Sequence, residues 1–474
     1  QWRGSSNVST GTQDTDNGNN SSLSGINASN KYPYQISDRL GGRDFVARVQ
    51  ACASVSLIGQ EDCKAYGSSL KPVGILQNYG DEDKIGFGLM TGSYRNHISG
   101  GVLRKNIGVI TDEINSSTDG TFKSTLPTDS IINTLNSFRT YGYQYRDGNY
   151  FSDTGSDKCD FNVSDLTDNE QCTNWGNPQS EIYLESLRYL AGKSATPGFV
   201  TDDSTFISNL TTATFVDPIP SDEWCAPINV IQFNASTSSY DSNELSGATD
   251  IGITNLNTTT DAIGTGESLS GKYFVGENGT DNNQLCTAKT VSNLSSVRGT
   301  CPDGPRLQGS YHIAGLAHFA HTNSIRSDRQ GDQLVTTYGI ALTPSLPKAV
   351  VPIPGSTDSI TILPACQNTR ENTNCSIVDY KVVSQNHATN PATGRLYVNW
   401  ETGEQGGDFD QDMWGILDYS VSSTQVKITT DVFNESTGAG MAFGYVINGT
   451  TKDAFHAHTG INGYSYTDPT GVLA

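Results

Sequence analysis

The hydrophobic pattern of this chain changes period near Ala349, and no other feature limits its fold as much. Upstream of that point, strand-like apolar runs alternate with stretches of helical spacing. Downstream, helical spacing disappears and short strand-like runs follow one another between turn residues. At 474 residues the chain is too long for one ordinary core and suits two or three domains. The pattern predicts a polar arm over 1–31, an α/β domain with loop insertions over 32–348 and a β-rich, sandwich-like domain over 349–474, an α/β plus all-β class.

In the upstream part, Lys84–Thr91 is apolar on both faces, as a buried strand should be. A helix is expected from Asn177, with Pro178 in its first turn and Tyr183, Leu184, Leu187, Leu190 and Ala191 at helical spacing. Pro227–Phe233 reads as the next buried strand. Ser310 can cap a helix carrying Ile313, Leu316, Ala317 and Ala320, and Leu334–Leu342 follows as a strand. This order predicts a mainly parallel sheet with helices on its faces. Long loops interrupt it near 112–130, 145–175 and 240–305. Val351–Gly355 reads as the linker to a run of short strands: Ile360–Leu363, Ile377–Val383, Leu396–Trp400, Ile416–Val421, Val426–Thr430 and Phe443–Ile447. The first 30 residues are rich in Ser, Asn, Thr and Gly, cannot bury apolar area, and read as an extended arm.

Eight of the nine cysteines fall into close pairs: Cys52 with Cys63, Cys159 with Cys172, Cys286 with Cys301, and Cys366 with Cys375. Each pair brackets turn-forming residues, so four local disulfides and an oxidising compartment are expected, with Cys225 left over. No CxxC pair or Cys/His cluster suggests zinc. A formal net charge of −21 repels nucleic acid and anionic membrane, and no stretch reaches the length of a membrane span. The chain begins at Gln1 without a leader, so a mature or excised secreted product is expected.

The segment Glu401–Asp412 carries five carboxylates. Asp408, Asp410 and Asp412 alternate, so an extended chain points all three one way, and hard oxygen ligands at that spacing suit Ca²⁺, with Glu404 or Glu401 completing the set. It is not an EF-hand, because Met413 stands where that loop needs Gly. The bland reading is a solvated acidic loop. His456 and His458 also alternate and could meet Asp453 or the acidic loop, but two imidazoles make half a metal site, and a surface or packing role is the simpler one. His318 and His321 read as ordinary helix residues. With no GxSxG elbow and no phosphate loop in the right context, the sequence offers no enzyme.

Several blocks resemble the type IV pilus tip adhesin and biogenesis factor family: RVQAC at 48–52, YGSSLKPVGILQ at 66–77, SGGVLRKN at 99–106, TNWGNP at 173–178, GSYHIAGLA at 309–317, TTYGIAL at 336–342, EQGGDFDQDMWG at 404–415 and FHAHTGI at 455–461. The resemblance implies a von Willebrand A-like doubly wound sheet followed by a β-rich module. It further implies roles in pilus assembly, adhesion and surface sensing, with minor and major type IV pilins and a host or abiotic surface receptor as partners. The family's C-terminal propeller has no counterpart here, so a fragment or processed form is expected. Two departures stand out. Cys225-Ala-Pro-Ile228 lacks the second thiol of a family Cys-x-x-Cys. The nearest string to the metal motif of A-type domains is Asn234-Ala-Ser236-Thr-Ser238, with Asn where Asp is needed. Other readings are a self-assembling filament subunit and a secreted carbohydrate-binding protein.

Overall fold

The computed structural model describes residues 50–138, 143–144, 149–150, 176–235, 237–282, 287–300, 307–342, 348–368, 375–402, 413–434, 441–451 and 453–457. The chain divides into two units, one drawn from Gln1–Asn96, Gly101–Asp157 and Gly192–Pro220, the other from His97–Gly100, Lys158–Ala191 and Ser221–Ala474.

The first unit is built from hairpins. Strand β1 (Cys63–Tyr66) pairs with β2 (Ser69–Pro72), helix α1 (Ile75–Gly80) follows, and β3 (Phe87–Thr91) pairs with β4 (Val102–Gly108). Helix α2 (Ile131–Ser137) is capped by Ser130, whose hydroxyl accepts from Asn133 N, and β5 (Tyr143–Gln144) pairs with β6 (Asn149–Tyr150). The expected buried strand at Lys84–Thr91 is therefore the edge of an antiparallel hairpin. Its double-faced apolar pattern has a local cause: a Cβ at Gly86 or Gly88 would lie 3.0 or 2.8 Å from the Ile107 side chain, so these positions leave room for a neighbour. Ile110, Ile114 and Ile131 form the apolar centre. Beside it, fully buried Asp203 accepts from Ser93 Oγ, Tyr94 N and Arg95 N and pairs with buried Arg104. Glu113 accepts from Ile131 N and Ile132 N and pairs with Lys105. Cys52 and Cys63 are joined by a disulfide.

In the second unit, helix α3 (Gln179–Leu190) precedes β7 (Ile228–Asn234), followed by α4 (Leu256–Gly266), β8 (Gly271–Val275), β9 (Glu277–Asn278), β10 (Thr287–Val291), β11 (Val297–Arg298), α5 (His312–Thr322) and β12 (Val335–Ala341). Strands β7 and β12 run parallel, from Val335 beside Ile228 to Ala341 beside Asn234. The pairs β8–β10 and β9–β11 are antiparallel. Tyr183, Leu184, Leu187 and Leu190 of α3 are buried as their spacing predicts, with Leu316 and Ala320 of α5. The Tyr183 hydroxyl lies 2.6 Å from Thr337 Oγ1, which fixes α3 over the inner face of the parallel pair. A mainly parallel sheet was the expectation; among the described residues β7–β12 is the one parallel pair of strands. Nor is Pro227–Phe233 a buried strand, since alternate β7 side chains are exposed.

The last part is a pair of antiparallel sheets. One holds β13 (Ala349–Pro352), β14 (Ser359–Asn368), β19 (Met441–Asn448) and β20 (Ala454–Ala457). The other holds β15 (Cys375–Asn386), β16 (Ala392–Thr402), β17 (Met413–Val421) and β18 (Val426–Asn434). Burial alternates residue by residue along β17, the signature of a strand with one face in a core. Val351, Ile360, Ile362, Leu396, Val398, Trp400, Met413 and Leu417 fill the space between the sheets. The Trp400 indole N–H donates to Ala365 O at 3.1 Å, so its one polar atom is satisfied in the core. The expected linker at Val351–Gly355 is in part an edge strand, β13, where Pro352 costs no ladder bond.

Candidate functional site

In α/β proteins the carboxyl ends of parallel strands are the usual place for a ligand. Here that place is filled by the chain's own side chains. After β7 the backbone turns at Tyr240, which holds a left-handed φ of 47°, and delivers Asp241 to the start of two helices. Asp241 Oδ2 accepts from Ser180 Oγ at 2.7 Å and Oδ1 from Ser310 N at 2.7 Å, while Ser180 Oγ accepts from Ile313 N at 3.1 Å. One buried carboxylate thus serves the N-terminal ends of α3 and α5, where unpaired N–H groups favour negative charge. Next to it, Glu181 Oε2 accepts from Gly100 N at 2.8 Å and Oε1 from Glu244 N at 2.9 Å. Asn177 N donates to Ser239 Oγ, and Asn177 Nδ2 reaches Asn234 Oδ1 and Thr237 O. Gly176 and Gly309 permit this closeness, since a Cβ would stand 1.9 Å from His97 O and 2.0 Å from Ser238 O respectively.

Burial raises the Asp241 carboxyl, against hydrogen bonds from Ser180 and Ser310 that favour its charge. Burial also pushes Glu181 up to about 7, opposed by its two backbone N–H donors. Each Glu181 oxygen is engaged by a backbone N–H, and the Asp241 oxygens by the two helix starts. Chemically the arrangement is a latch that fastens loops to helix ends. The metal-motif string fits this picture: Asn234 supplies an amide oxygen to Asn177, and Ser236 lies outside the described residues. Two buried histidines lie in the same unit. His97 and His312 are each lowered to about 4 by burial, with Thr260 Oγ1 3.1 Å from His312 Nδ1.

The outer face of the same strands is open. The in-register pairs Ile231–Tyr338 and Phe233–Ile340 are exposed, as is Leu342 just beyond β12. Four large apolar side chains in two adjacent rows make a continuous strip, unlike the single exposed apolar residues that any surface carries. Sequence reasoning missed both features. It took the apolar run at β7 as a buried strand, and a single sequence carries no mark that tells Glu181 or Asp241 from other carboxylates.

Asp408, Asp410, Asp412 and Glu404 lie outside the described residues, and Glu401 stands near the end of β16 with its side chain undescribed. Cys159, Cys172, Cys286 and Cys301 also lie outside them, while Cys366 and Cys375 take places in β14 and β15 with side chains undescribed. Cys225 is free and exposed. Among the described residues, the group with metal-ligand proximity is Cys52, Glu61 and Cys63, and the disulfide occupies both sulfurs. His458 lies outside; His456 stacks on Tyr445 at 5.4 Å, and burial lowers it. Asp453 does not meet it. Its carboxylate accepts from Gly449 N, Thr450 N and Thr450 Oγ1, closing the turn before β20. His318 and His321 sit on α5. On the sandwich, Trp414 stacks on Phe433 at 4.3 Å and Tyr397 lies 6.2 Å from Trp414, so these rings spend faces on one another.

A family model described as "PilY1 homolog, second domain" matches residues 87–320, and one described as "PilY1 homolog, beta-sandwich" matches 349–459. The chain is 30% identical over 469 residues to a type IV pilus biogenesis factor PilY1 homolog from Xylella fastidiosa, over 88% of this chain and 31% of that protein. It therefore spans less than a third of that relative's length. No solved structure matches it significantly. Two successive family matches and a relative 30% identical over most of this chain show that the chain belongs to the PilY1 homolog family of pilus biogenesis factors.

Proposed function

We propose that the chain is part of an extracellular, non-enzymatic type IV pilus protein that acts in pilus assembly and surface attachment, with minor and major pilins and a surface receptor as partners. Family membership is the observation that carries this reading. The closed strand ends support a scaffold in place of a catalyst, since the position that α/β enzymes keep for substrate holds Asp241 and Glu181. The parallel pair under α3 and α5 supports a von Willebrand A-like reading of the α/β part. The Cys52–Cys63 bridge supports an oxidising compartment, and among the described residues no helix is long and apolar enough to cross a membrane. Gold labelling of the protein on intact cells should mark filament ends; uniform decoration of the shaft, or label only on cell bodies, overturns the reading.

Calcium at Asp408, Asp410, Asp412 and Glu404 belongs to the same proposal, on the strength of their alternation alone. Millimolar Ca²⁺ should raise the melting temperature relative to chelator, and Asp410→Ala should abolish the rise. Equal melting curves would leave the carboxylates merely solvated.

A further inference from the structure

We propose that the outer face of β7–β12 is a docking strip for an amphipathic helix with an apolar stripe and basic residues at one end. Parallel strands are normally covered on both faces, usually by helices. Here α3 lies over the inner face, and Ile231, Phe233, Tyr338 and Ile340 stand 46–63% exposed on the outer one. The seven-residue ladder is roughly 20 Å long at about 3.3 Å per step, and its exposed apolar rows, Ile231–Tyr338 and Phe233–Ile340, occupy its carboxyl half, with Leu342 just beyond. Strand addition would use an edge and leave this face bare, so a helix is the better occupant.

Charge selects the partner's end. Asp222 and Glu223 precede β7, Asp332 precedes β12, and all three are exposed. Because the strands are parallel and in register, both leads lie at one end of the strip. The Trp224 ring, 3.2 Å from a Cβ built on Gly331, holds them side by side. The strip therefore ends in an acidic rim, which a run of Lys or Arg would complement. A second copy of the chain is the weaker candidate, since each copy carries a net charge of −21 and the same rim. The inference rests on the sheet alone, so failure of the pilus reading leaves it standing.

The test uses the full chain and a synthetic 18-residue helix of Leu and Lys, with Leu at i, i+3, i+4 and i+7 and three Lys at one end. Its control carries Glu in place of the terminal Lys. Fluorescence anisotropy at low salt should show binding that Ile231→Asp weakens at least tenfold. Asp222→Asn with Glu223→Gln should weaken it severalfold and reduce its salt dependence. The control peptide should bind at least tenfold more weakly. Ile231→Ser replaces Ile231→Asp if the charge alters the melting curve. No binding, equal binding by the face variant, or equal binding of the two peptides overturns the proposal. So does a dimer in sedimentation that Ile231→Asp dissociates, which would assign the strip to a second copy.

Discussion

The sandwich and the parallel pair are both built from apolar strands, yet one completes its own core and the other does not. In the sandwich, two four-stranded sheets face each other, and Trp400, Val398, Leu396 and Met413 are fully or almost fully buried between them. In the parallel pair, α3 and α5 satisfy one face, and the other presents Ile231, Phe233, Tyr338 and Ile340 to solvent. Burial of apolar area stabilises only where a second layer exists. The sandwich side chains therefore act on folding, and those of the strip are free to act on association.

The largest effect should come from the closed region. Trp400→Ala removes the largest fully buried side chain among the described residues together with the indole donor to Ala365 O, so it should cost about 3–5 kcal/mol in urea unfolding. A cost below about 1 kcal/mol would mean the two sheets do not share one core. Acid should act next, on the α/β region. His97 and His312 fold as neutral groups at about 4 against an ordinary 6.5, so their contribution is complete above 6.5 and lost as pH falls through 4. Glu181, raised from 4.5 to about 7, works the other way: its contribution is complete below 4.5 and lost as pH rises to 7. Asp241, also raised by burial, acts in the same sense as Glu181, so the histidine share is read as the difference between the protein and a variant without the two rings. Melting followed against pH should show His97→Gln with His312→Gln losing less stability than the parent between pH 6.5 and 4; an unchanged slope would mean neither ring is held neutral.

The disulfide lies outside both regions and serves as a reference. Cys52→Ser with Cys63→Ser opens a bridge of sequence separation 11 and should cost about 2–3 kcal/mol, measured by unfolding under non-reducing conditions. No change would place that loop outside the cooperative unit. The smallest effect should fall on the strip, where Ile231→Ser should change stability by no more than about 0.5 kcal/mol. A cost near that of Trp400→Ala would show that the face is covered in solution and would erase the contrast.

Strand alternation in the sandwich was legible because one-sided burial writes a period of two into the chain, as Leu396-Tyr397-Val398-Asn399-Trp400 does. Helix α3 was legible for the same reason at a period of 3.6, with Pro178 marking its start. The parallel pair was legible as strands and not as a half-covered sheet. Apolar residues on both faces of Ile228–Asn234 look the same whether the outer layer belongs to the chain or to a partner. Hairpin β3–β4 was misread because Gly86 and Gly88 count as neutral in an apolar run, when their role is to admit Ile107. Asp241 and Glu181 were invisible because their function depends on which loops the fold brings to two helix starts.

Hydroxyl-radical footprinting of the same protein, isolated and in assembled pili, bears most directly on the contrast between the two regions. Ile231, Phe233, Tyr338 and Ile340 should be oxidised in the isolated chain and protected severalfold in the assembled state, while Leu396, Val398 and Leu417 should stay unlabelled in both. Equal oxidation of the strip in the two states would contradict a docking role, and protection already present in the isolated chain would contradict an open face.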